Sequence, residues 1–488
     1  MTASSITSSR ENFDIEMPSK KGQRKKTDWH AIILATVITF LTFVETNIIA
    51  MGEFPYMKTL DSEATSQFFG LVTSVCKFGK AVFVVVFAFW SHRWQVSKIP
   101  LLAARFVAIA GCVLYLCVEF FPSNRRYVLI LCYLLFGIGS STAPIIRSFV
   151  SQKSSEEDRA KAFALFHVAI VVGVIFGPMF QLAFSGIQYP GITVFPGIHF
   201  HIYSAPIWMA FFLNIVSLLV IGLLFNDPET EEPRPTSPWN IDLSFDRLKE
   251  KGRVVLETLR GMPFSWALVG VLVAENAFSK ITLATLQAVS SPMMMTAFAL
   301  NGTGVVQLMS ICQIIVGCLA LILSALFLFA KLGKYISSRL LFAFASALVV
   351  FMYAASYPWP MWSIPLSPYN ETEKTGCNPK EYSWCDTALT SSMWTFIPIM
   401  TLVMGVALPS MNISLDAIYS KVLGDIDQNL MQSLMVLSED IALVVGPIYA
   451  AAVFTAAGVG ALWIVNGTLV FLALCLWFAF WKQLGKYK

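Results

Sequence analysis

Charged residues are scarce in this sequence. Only 13% of its 488 residues are Asp, Glu, Lys or Arg, whereas soluble domains contain roughly 25%. Because 56% of the residues are hydrophobic, this shortage excludes an ordinary soluble protein and favours a membrane protein that crosses the bilayer several times. A net charge of +4 is also too small to indicate a nucleic-acid partner.

Sequence motifs of enzymes and metal sites are absent as well. The chain contains no zinc-ligand spacing, no nucleotide-binding glycine loop and no serine nucleophile elbow. All cysteines except Cys377 and Cys385 lie in apolar segments, where they act as small apolar groups. We therefore expect no enzymatic activity, no metal and no cofactor. Residues 1–29 lack the apolar core of a signal peptide and are interpreted as a disordered cytosolic tail.

Long apolar runs fill most of the remaining chain. A run of roughly 20 apolar residues is just long enough to cross the hydrocarbon layer as a helix. Twelve such runs, numbered here as spans 1 to 12, cover residues 30–52, 66–90, 99–121, 127–150, 160–186, 203–225, 263–288, 304–330, 338–356, 391–418, 430–455 and 459–481. The predicted fold class is therefore an all-α polytopic membrane protein with twelve transmembrane helices.

The distribution of positive charge predicts the orientation. The two terminal tails and the connections on their side together contain 24 Lys and Arg residues, whereas the connections on the opposite side contain five. Cytosolic connections are enriched in these residues. We therefore expect both termini to be cytosolic.

A polar, proline-rich linker divides the spans into two groups of six. It covers residues 226–262 and ends in a segment whose apolar residues recur at helical spacing, which predicts an interfacial amphipathic helix. We therefore expect an N-terminal six-helix bundle at 30–225, a C-terminal six-helix bundle at 263–482 with a luminal loop at 357–390, and a short cytosolic tail at 483–488.

The two halves also look like repeats of one another. Three features of the first half have a counterpart at the matched position of the second half. FVETN (43–47) corresponds to VAENA (273–277), and Gly177-Pro178 corresponds to Gly446-Pro447. Arg147 corresponds to Asp416, since each lies 30 residues before the Gly-Pro pair of its half. Internal duplication around a central site is typical of secondary transporters.

These motifs resemble the major facilitator superfamily. The Gly-Pro pair at 177–178 is similar to the superfamily's antiporter-type motif in helix 5, and the pair at 446–447 is similar to the repeat of that motif in helix 11. Gly137 and Gly139 match the glycine-rich part of the superfamily's helix 4 motif. Within the superfamily, four segments resemble the lysosomal membrane branch of major facilitator superfamily domain-containing proteins that is associated with neuronal ceroid lipofuscinosis: 136–149, 156–164, 375–385 and 418–424.

The resemblance implies a fold and a function. It implies two pseudo-symmetric six-helix bundles and secondary-active transport of a small solute by alternating access, in an endolysosomal membrane. The expected partners are a small-molecule or ion substrate and membrane lipids, and the expected oligomeric state is a monomer.

Charged residues inside the spans are the candidate site residues, because a charge in hydrocarbon costs at least a few kcal/mol. In the resembled fold, Glu45 and Glu275 would face the central cavity from opposite halves, where a carboxylate could bind substrate or carry a coupling proton. The alternative is that each glutamate caps a neighbouring helix. Arg147 could bind an anionic group of the substrate or form a gate, for which Asp416 and Arg93 are further candidates.

Spans 2 and 11 carry a second set of charges. Lys77 and Lys80 are three residues apart and therefore share one helix face, and Glu439 and Asp440 are adjacent at a similar depth. In the resembled fold, helix 2 of one half packs beside helix 11 of the other. We therefore expect an inter-bundle charge contact between these lysines and these acids.

The predicted luminal loop contains features of a secretory-pathway protein. An oxidising lumen favours a disulfide between Cys377 and Cys385. Asn370 heads a glycosylation sequon well clear of the membrane, whereas the sequon at Asn301 lies close to a helix start.

Two other functions are compatible with the same sequence features. The fold could form an anion channel, for instance for chloride, in which Lys77, Lys80 and Arg147 attract the ion. It could also form a non-transporting sensor, because His92 stands where the family has an aspartate in the loop after helix 2.

Overall fold

A computed structural model of the chain describes residues 27–94, 96–155, 158–227, 265–330, 335–371, 374–423 and 429–486. Most of the predicted N-terminal tail and nearly all of the predicted linker, with its amphipathic helix, lie outside these ranges. The described part is built almost entirely of helices, which confirms the predicted fold class.

Within the described part, eleven helices are long and apolar enough to cross a membrane. The last of them contains Gly458, whose φ of +78° is not helical and divides it into spans 11 and 12. The spans therefore number twelve, as predicted. In order they are Trp29–Ile49, Ser66–Trp94, Lys98–Leu116, Arg125–Gly139 with Ala143–Lys153, Arg159–Ala183, Ala205–Leu224, Trp266–Thr296, Gly302–Leu328, Ser338–Ser356, Met393–Leu402 with Val403–Ala407 and Leu408–Leu423, and the two parts of Asn429–Ala479.

Spans 4 and 10 are interrupted near their middle, which differs from the continuous helices that the sequence predicts. Span 4 breaks between Gly139 and Ala143, and the hydroxyl of Ser141 donates to the carbonyl of Ile138 at 2.6 Å. Pro144 cannot donate a backbone hydrogen bond, so it sits in the first turn of the second segment. Span 10 contains the π-helical segment Val403–Ala407, a feature often found at functional sites.

The helices form two bundles, and the contacts between them include the expected packing of span 2 beside span 11. Spans 1 to 6 form the N-bundle and spans 7 to 12 the C-bundle. Span 1 packs against spans 5 and 6, span 7 against span 11, and span 9 against spans 10 and 12. Between the bundles, span 2 packs against span 11 and span 5 against span 8.

The glycines of the two Gly-Pro pairs lie at equivalent helix crossings. A side-chain carbon added at Gly177 would lie 2.8 Å from Cβ of Asn47 in span 1, and one added at Gly446 would lie 2.5 Å from Cβ of Ala284 in span 7. Gly137 and Gly139 similarly lie against the backbone of span 2 and against Ala108 of span 3. These small residues allow close contact between helices.

The two faces of the molecule differ. We call the face with both chain ends the terminal face and the opposite one the loop face. The loop face has a short helix, Glu53–Leu60, which we call the loop-side helix, and two antiparallel strand pairs, Ile192–Phe195 with Ile198–Phe200 and Ile364–Pro365 with Leu389–Thr390. The remaining short helices are Val118–Phe120, Phe184–Gly186 and Trp481–Leu484.

We expect Gly177→Ala to destabilise the protein, because the added carbon would lie 2.9 Å from the backbone carbonyl carbon of Asn47. The matched control is Gly222→Ala in span 6, where no atom lies within 4 Å of the new methyl group. Alanine favours a helix by about 0.5–1 kcal/mol over glycine, so the control should be unchanged or slightly stabilised. Thermal unfolding in detergent measures both, and equal midpoints would contradict the close packing.

Candidate functional site

A buried ion pair lies at the centre of the N-bundle. Arg105 Nη1 donates to Oε2 of Glu45 at 2.9 Å and to Oδ1 of Asn214 at 3.1 Å, and Nη2 donates to the carbonyl of Gly139 at 2.5 Å. Arg105 is 1% exposed and Glu45 7% exposed. The guanidinium of span 3 therefore connects spans 1, 4 and 6 in a buried region.

This arrangement corrects the expected orientation of Glu45. The carboxylate points into the N-bundle towards Arg105 and not into the space between the bundles. Arg105 lies inside span 3, and periodicity alone does not show which side chain it contacts. The carbonyl of Gly139 can accept from Arg105 because span 4 ends its first segment there.

Glu275 occupies the matched position in span 7 but has different surroundings. It is 1% exposed, and within the described part of the chain no hydrogen bond reaches its Oε1. The neighbouring Asn276 instead fastens span 7 to span 11, donating to the carbonyl of Met435 at 3.2 Å. The two related glutamates therefore differ, since one is neutralised by an arginine and the other has an oxygen without a partner.

A second ion pair lies between spans 7 and 11. Nζ of Lys280 is 3.0 Å from Oε1 of Glu439, and Lys280 is 9% exposed. Glu439 therefore pairs inside the C-bundle, whereas the sequence predicts a contact with the lysines of span 2. Like Arg105, Lys280 is a charged residue inside a span whose partner is not apparent from the sequence.

The lysines of span 2 face the C-bundle. The exposed apolar residues Phe78, Val82 and Val85 occupy the opposite side of this helix. Lys80 is exposed and close enough to interact electrostatically with Asp440 and Glu439. Lys77 is half-buried and lies near Glu53 of the loop-side helix.

Arg147 and Asp416 are charged residues in the parts of spans 4 and 10 that lie towards the terminal face. Both are exposed and close enough to interact electrostatically from opposite bundles. The guanidinium carbon of Arg147 is 5.9 Å from the ring centre of Phe166, and Asp416 also lies within electrostatic reach of Lys280. Arg93, the other predicted gate residue, is half-buried at the end of span 2 and makes contacts of its own.

Together these side chains form a route of charged groups between the bundles, which we call the central charge route. It contains four cations and four anions: Arg147, Lys280, Lys80, Lys77, Asp416, Glu439, Asp440 and Glu53. Such a route can bind charged groups of either sign and exchange partners along its length. Within the described ranges, no group of three or more His, Cys, Asp or Glu side chains could hold a metal ion.

The predicted luminal residues lie on the loop face. The sulfur atoms of Cys377 and Cys385 are 2.01 Å apart, at covalent bonding distance. Asn370 is exposed, and its N–H donates to the carbonyl of Thr375 at 2.8 Å. The side chain of Asn301 caps span 8 by accepting a hydrogen bond from the N–H of Gly304 at 2.8 Å.

We expect Arg105→Met to destabilise the protein strongly, because it leaves the carboxylate of Glu45 buried without a partner. Removing one member of a buried pair costs about 3–5 kcal/mol. Adding Glu45→Gln should recover part of the loss. Arg126→Met, which breaks a more exposed bridge to Glu63 at 2.8 Å, is the control and should lower the thermal midpoint far less, because water screens exposed ion pairs. An unchanged thermal midpoint in Arg105→Met would contradict the structural role of the pair.

The chain is similar in sequence to known membrane proteins. A family model described as Major Facilitator Superfamily matches residues 33–368. Major facilitator superfamily domain-containing protein 8 of Xenopus laevis is 25% identical over 480 residues, which cover 92% of this chain and 90% of that protein.

Solved transporter structures share the fold. The peptide transporter POT has a TM-score of 0.63 at 12% identity, covering 94% of this chain and 95% of its own. A bacterial homologue of the human lysosomal transporter Spinster, in an inward-facing and unoccupied conformation, has a TM-score of 0.58 at 13% identity, covering 94% and 98%. The predicted family is thus confirmed: the chain belongs to the Major Facilitator Superfamily and is a multi-pass membrane transporter, not an enzyme.

Proposed function

We propose that the chain is a secondary-active carrier that moves a small charged solute along the central charge route by alternating access. The observation that carries the proposal is the mixed-sign route itself. Its charges come from both bundles, so a relative movement of the bundles would change which charges face each other. A bound solute with complementary charges could favour that movement by replacing one set of contacts with another.

The positions of the contacts support a carrier that is open on one side. Polar contacts join the bundles at the loop face, where Lys58 meets Glu381 at 2.6 Å and Gln307 meets Ser185 at 3.3 Å. Arg147 and Asp416 remain exposed towards the terminal face. We infer that the terminal face is cytosolic, from its excess of Lys and Arg, and that this conformation is open to the cytosol.

The balance of charge favours a carrier over an anion channel. A channel for chloride needs cations that are not neutralised along its path. Here Glu439 pairs with Lys280, and Asp416 and Asp440 accompany Arg147 and Lys80. We therefore propose a solute that has both a positive and a negative group, such as an amino acid or a short peptide.

Glu275 is the proposed site of proton coupling. It is buried, and among the described residues one of its oxygens has no hydrogen-bond partner, whereas Glu45 is held by Arg105. A carboxyl group without a neighbouring cation in a buried site can gain and lose a proton as its environment changes between the two states. We accordingly assign Glu45 a structural role.

An endolysosomal membrane is the proposed location. The support is the similarity to the bacterial homologue of a human lysosomal transporter and the sequence segments that resemble the lysosomal branch. The mixed-sign route also fits the export of small products of degradation towards the cytosol. Fluorescence microscopy of the tagged full-length chain against lysosomal and plasma-membrane markers tests this location.

We expect Glu275→Gln to abolish accumulation driven by a pH gradient and to retain exchange of solute across the membrane, because glutamine cannot release a proton. Proteoliposomes containing the full chain, tested with a panel of amino acids and short peptides, provide both measurements. Glu371→Gln, an exposed carboxylate on the loop face, is the matched control and should transport normally. A linear chloride current without saturable uptake would refute the carrier and favour the channel.

We expect Asn370 to carry an N-linked glycan if the loop face is luminal. Asn370→Gln should then remove the shift in gel mobility that glycosidase causes in the unmodified protein. The control is Asn301→Gln, which should leave most of the shift, because the Asn301 side chain caps a helix. A glycosidase-sensitive band that persists unchanged in Asn370→Gln would refute the proposed glycosylation site.

A further inference from the structure

A segment of the loop face joins the two bundles at a buried point. This segment, residues 375–388, lies between spans 9 and 10, and we call it the strap. It belongs to the C-bundle in sequence but reaches the loop-side helix of the N-bundle. The central charge route does not include any of its residues.

The strap is fixed to the C-bundle by an aromatic anchor. Trp384 Nε1 donates to the carbonyl of Thr455 at 3.1 Å, and its ring centre lies 5.6 Å from that of Phe454. Gly458 lies beneath the ring, where an added side-chain carbon would be 3.0 Å from Trp384. The N–H of Gly376 also donates to the carbonyl of Met295 at 2.8 Å. The strap should therefore move with the C-bundle.

The loop-side helix is fixed to the N-bundle in a comparable way. The hydroxyl of Tyr56 donates to Oε1 of Glu119 at 3.3 Å, and Nδ1 of His199 lies 2.6 Å from Oε2 of the same carboxylate. Burial alone would raise the pKa of Glu119, but the hydrogen bonds from His201 and His199 hold that pKa below its usual value. Glu119 therefore stays a charged acceptor, and Lys58 in this helix moves with the N-bundle.

Two contacts connect the strap with the N-bundle. Nζ of Lys58 is 2.6 Å from Oε2 of Glu381, and the Lys58 and Glu381 side chains are 11% and 9% exposed. One residue further on, the hydroxyls of Tyr382 and Ser66 are hydrogen-bonded. Both contacts join groups that belong to different bundles.

The surroundings of the Lys58–Glu381 ion pair allow its two side chains to separate. Lys58 also donates to the carbonyls of Ser62 at 3.3 Å and Ala64 at 3.1 Å, both in its own bundle, so it keeps partners when Glu381 leaves. Within the described part of the chain, Oε1 of Glu381 has no hydrogen-bond partner, and Glu381 lines a cavity of about 20 Å³, which is large enough for one water molecule. Water can therefore replace Lys58 as the strap moves away.

We propose that the strap is the loop-side gate of the transporter and that the Lys58–Glu381 pair is its latch. In the closed gate, the latch holds the bundles together at the loop face. In the open gate, Glu381 and Tyr382 move away with the C-bundle, while Lys58 and Ser66 remain with the N-bundle. The proposal rests on alternating access as the proposed function, but its test requires no transport.

The test is the reactivity of a cysteine placed beneath the strap. Thr296 is 6% exposed and lines the cavity beside Glu381. In the full chain with the free cysteines that are not buried, Cys76, Cys117, Cys318 and Cys475, replaced by serine, Thr296→Cys should react slowly with a hydrophilic maleimide. Adding Lys58→Met or Glu381→Gln should raise the rate several-fold. The charge-swapped pair Lys58→Glu with Glu381→Lys should restore the slow rate.

Two controls separate gate opening from misfolding. Arg126→Met breaks an ion pair on the same face within the N-bundle, and it should leave the labelling rate unchanged. A cysteine introduced at Ala35, which is 0% exposed in the N-bundle core, should stay unreactive in every variant. Labelling of Thr296→Cys at the unmodified rate in both Lys58→Met and Glu381→Gln would overturn the proposal, whatever the outcome of the transport measurements.

Discussion

The cost of placing charge in hydrocarbon governs this structure. Every ionised side chain within the spans needs a partner or access to water, because the lipid offers neither. Arg105 meets this requirement with three acceptors from three different spans, and this contact connects most of the N-bundle. The break in span 4 and the burial of Asn214 follow from the same requirement, since both supply oxygens to the guanidinium.

The two halves share an architecture and differ in chemistry. Equivalent glycines allow span 5 to approach span 1 and span 11 to approach span 7, so the backbones pack alike. The N-bundle has a neutralised glutamate, whereas within the described part of the chain its counterpart in the C-bundle has a carboxylate oxygen without a partner. The C-bundle instead has the ion pair of Lys280 and Glu439. The charged groups of the central charge route come from both bundles, whereas the Glu45–Arg105 pair lies within the N-bundle alone.

The contacts between the bundles also divide the molecule by depth. At the loop face, Lys58 and Glu381 form a close, buried pair. Near the terminal face, Arg147 and Asp416 are exposed and interact at longer range. A carrier needs its two ends to differ in how tightly the bundles are joined, because closing both ends equally would trap the solute and opening both would form a channel. The mixed signs along the route allow either end to close by pairing.

The sequence by itself determined the twelve spans and the linker between two groups of six, because apolar length and polar composition are local properties that are visible in one dimension. The approach of span 2 to span 11 was an implication of the resemblance to the superfamily, and it did not follow from composition or spacing. Only the tertiary structure decided that Glu45 pairs with Arg105 and Glu439 with Lys280. The physical reason is helix rotation: a change of one residue turns a side chain by about 100°. Which charges meet therefore depends on how several helices pack together, and no single span contains that information.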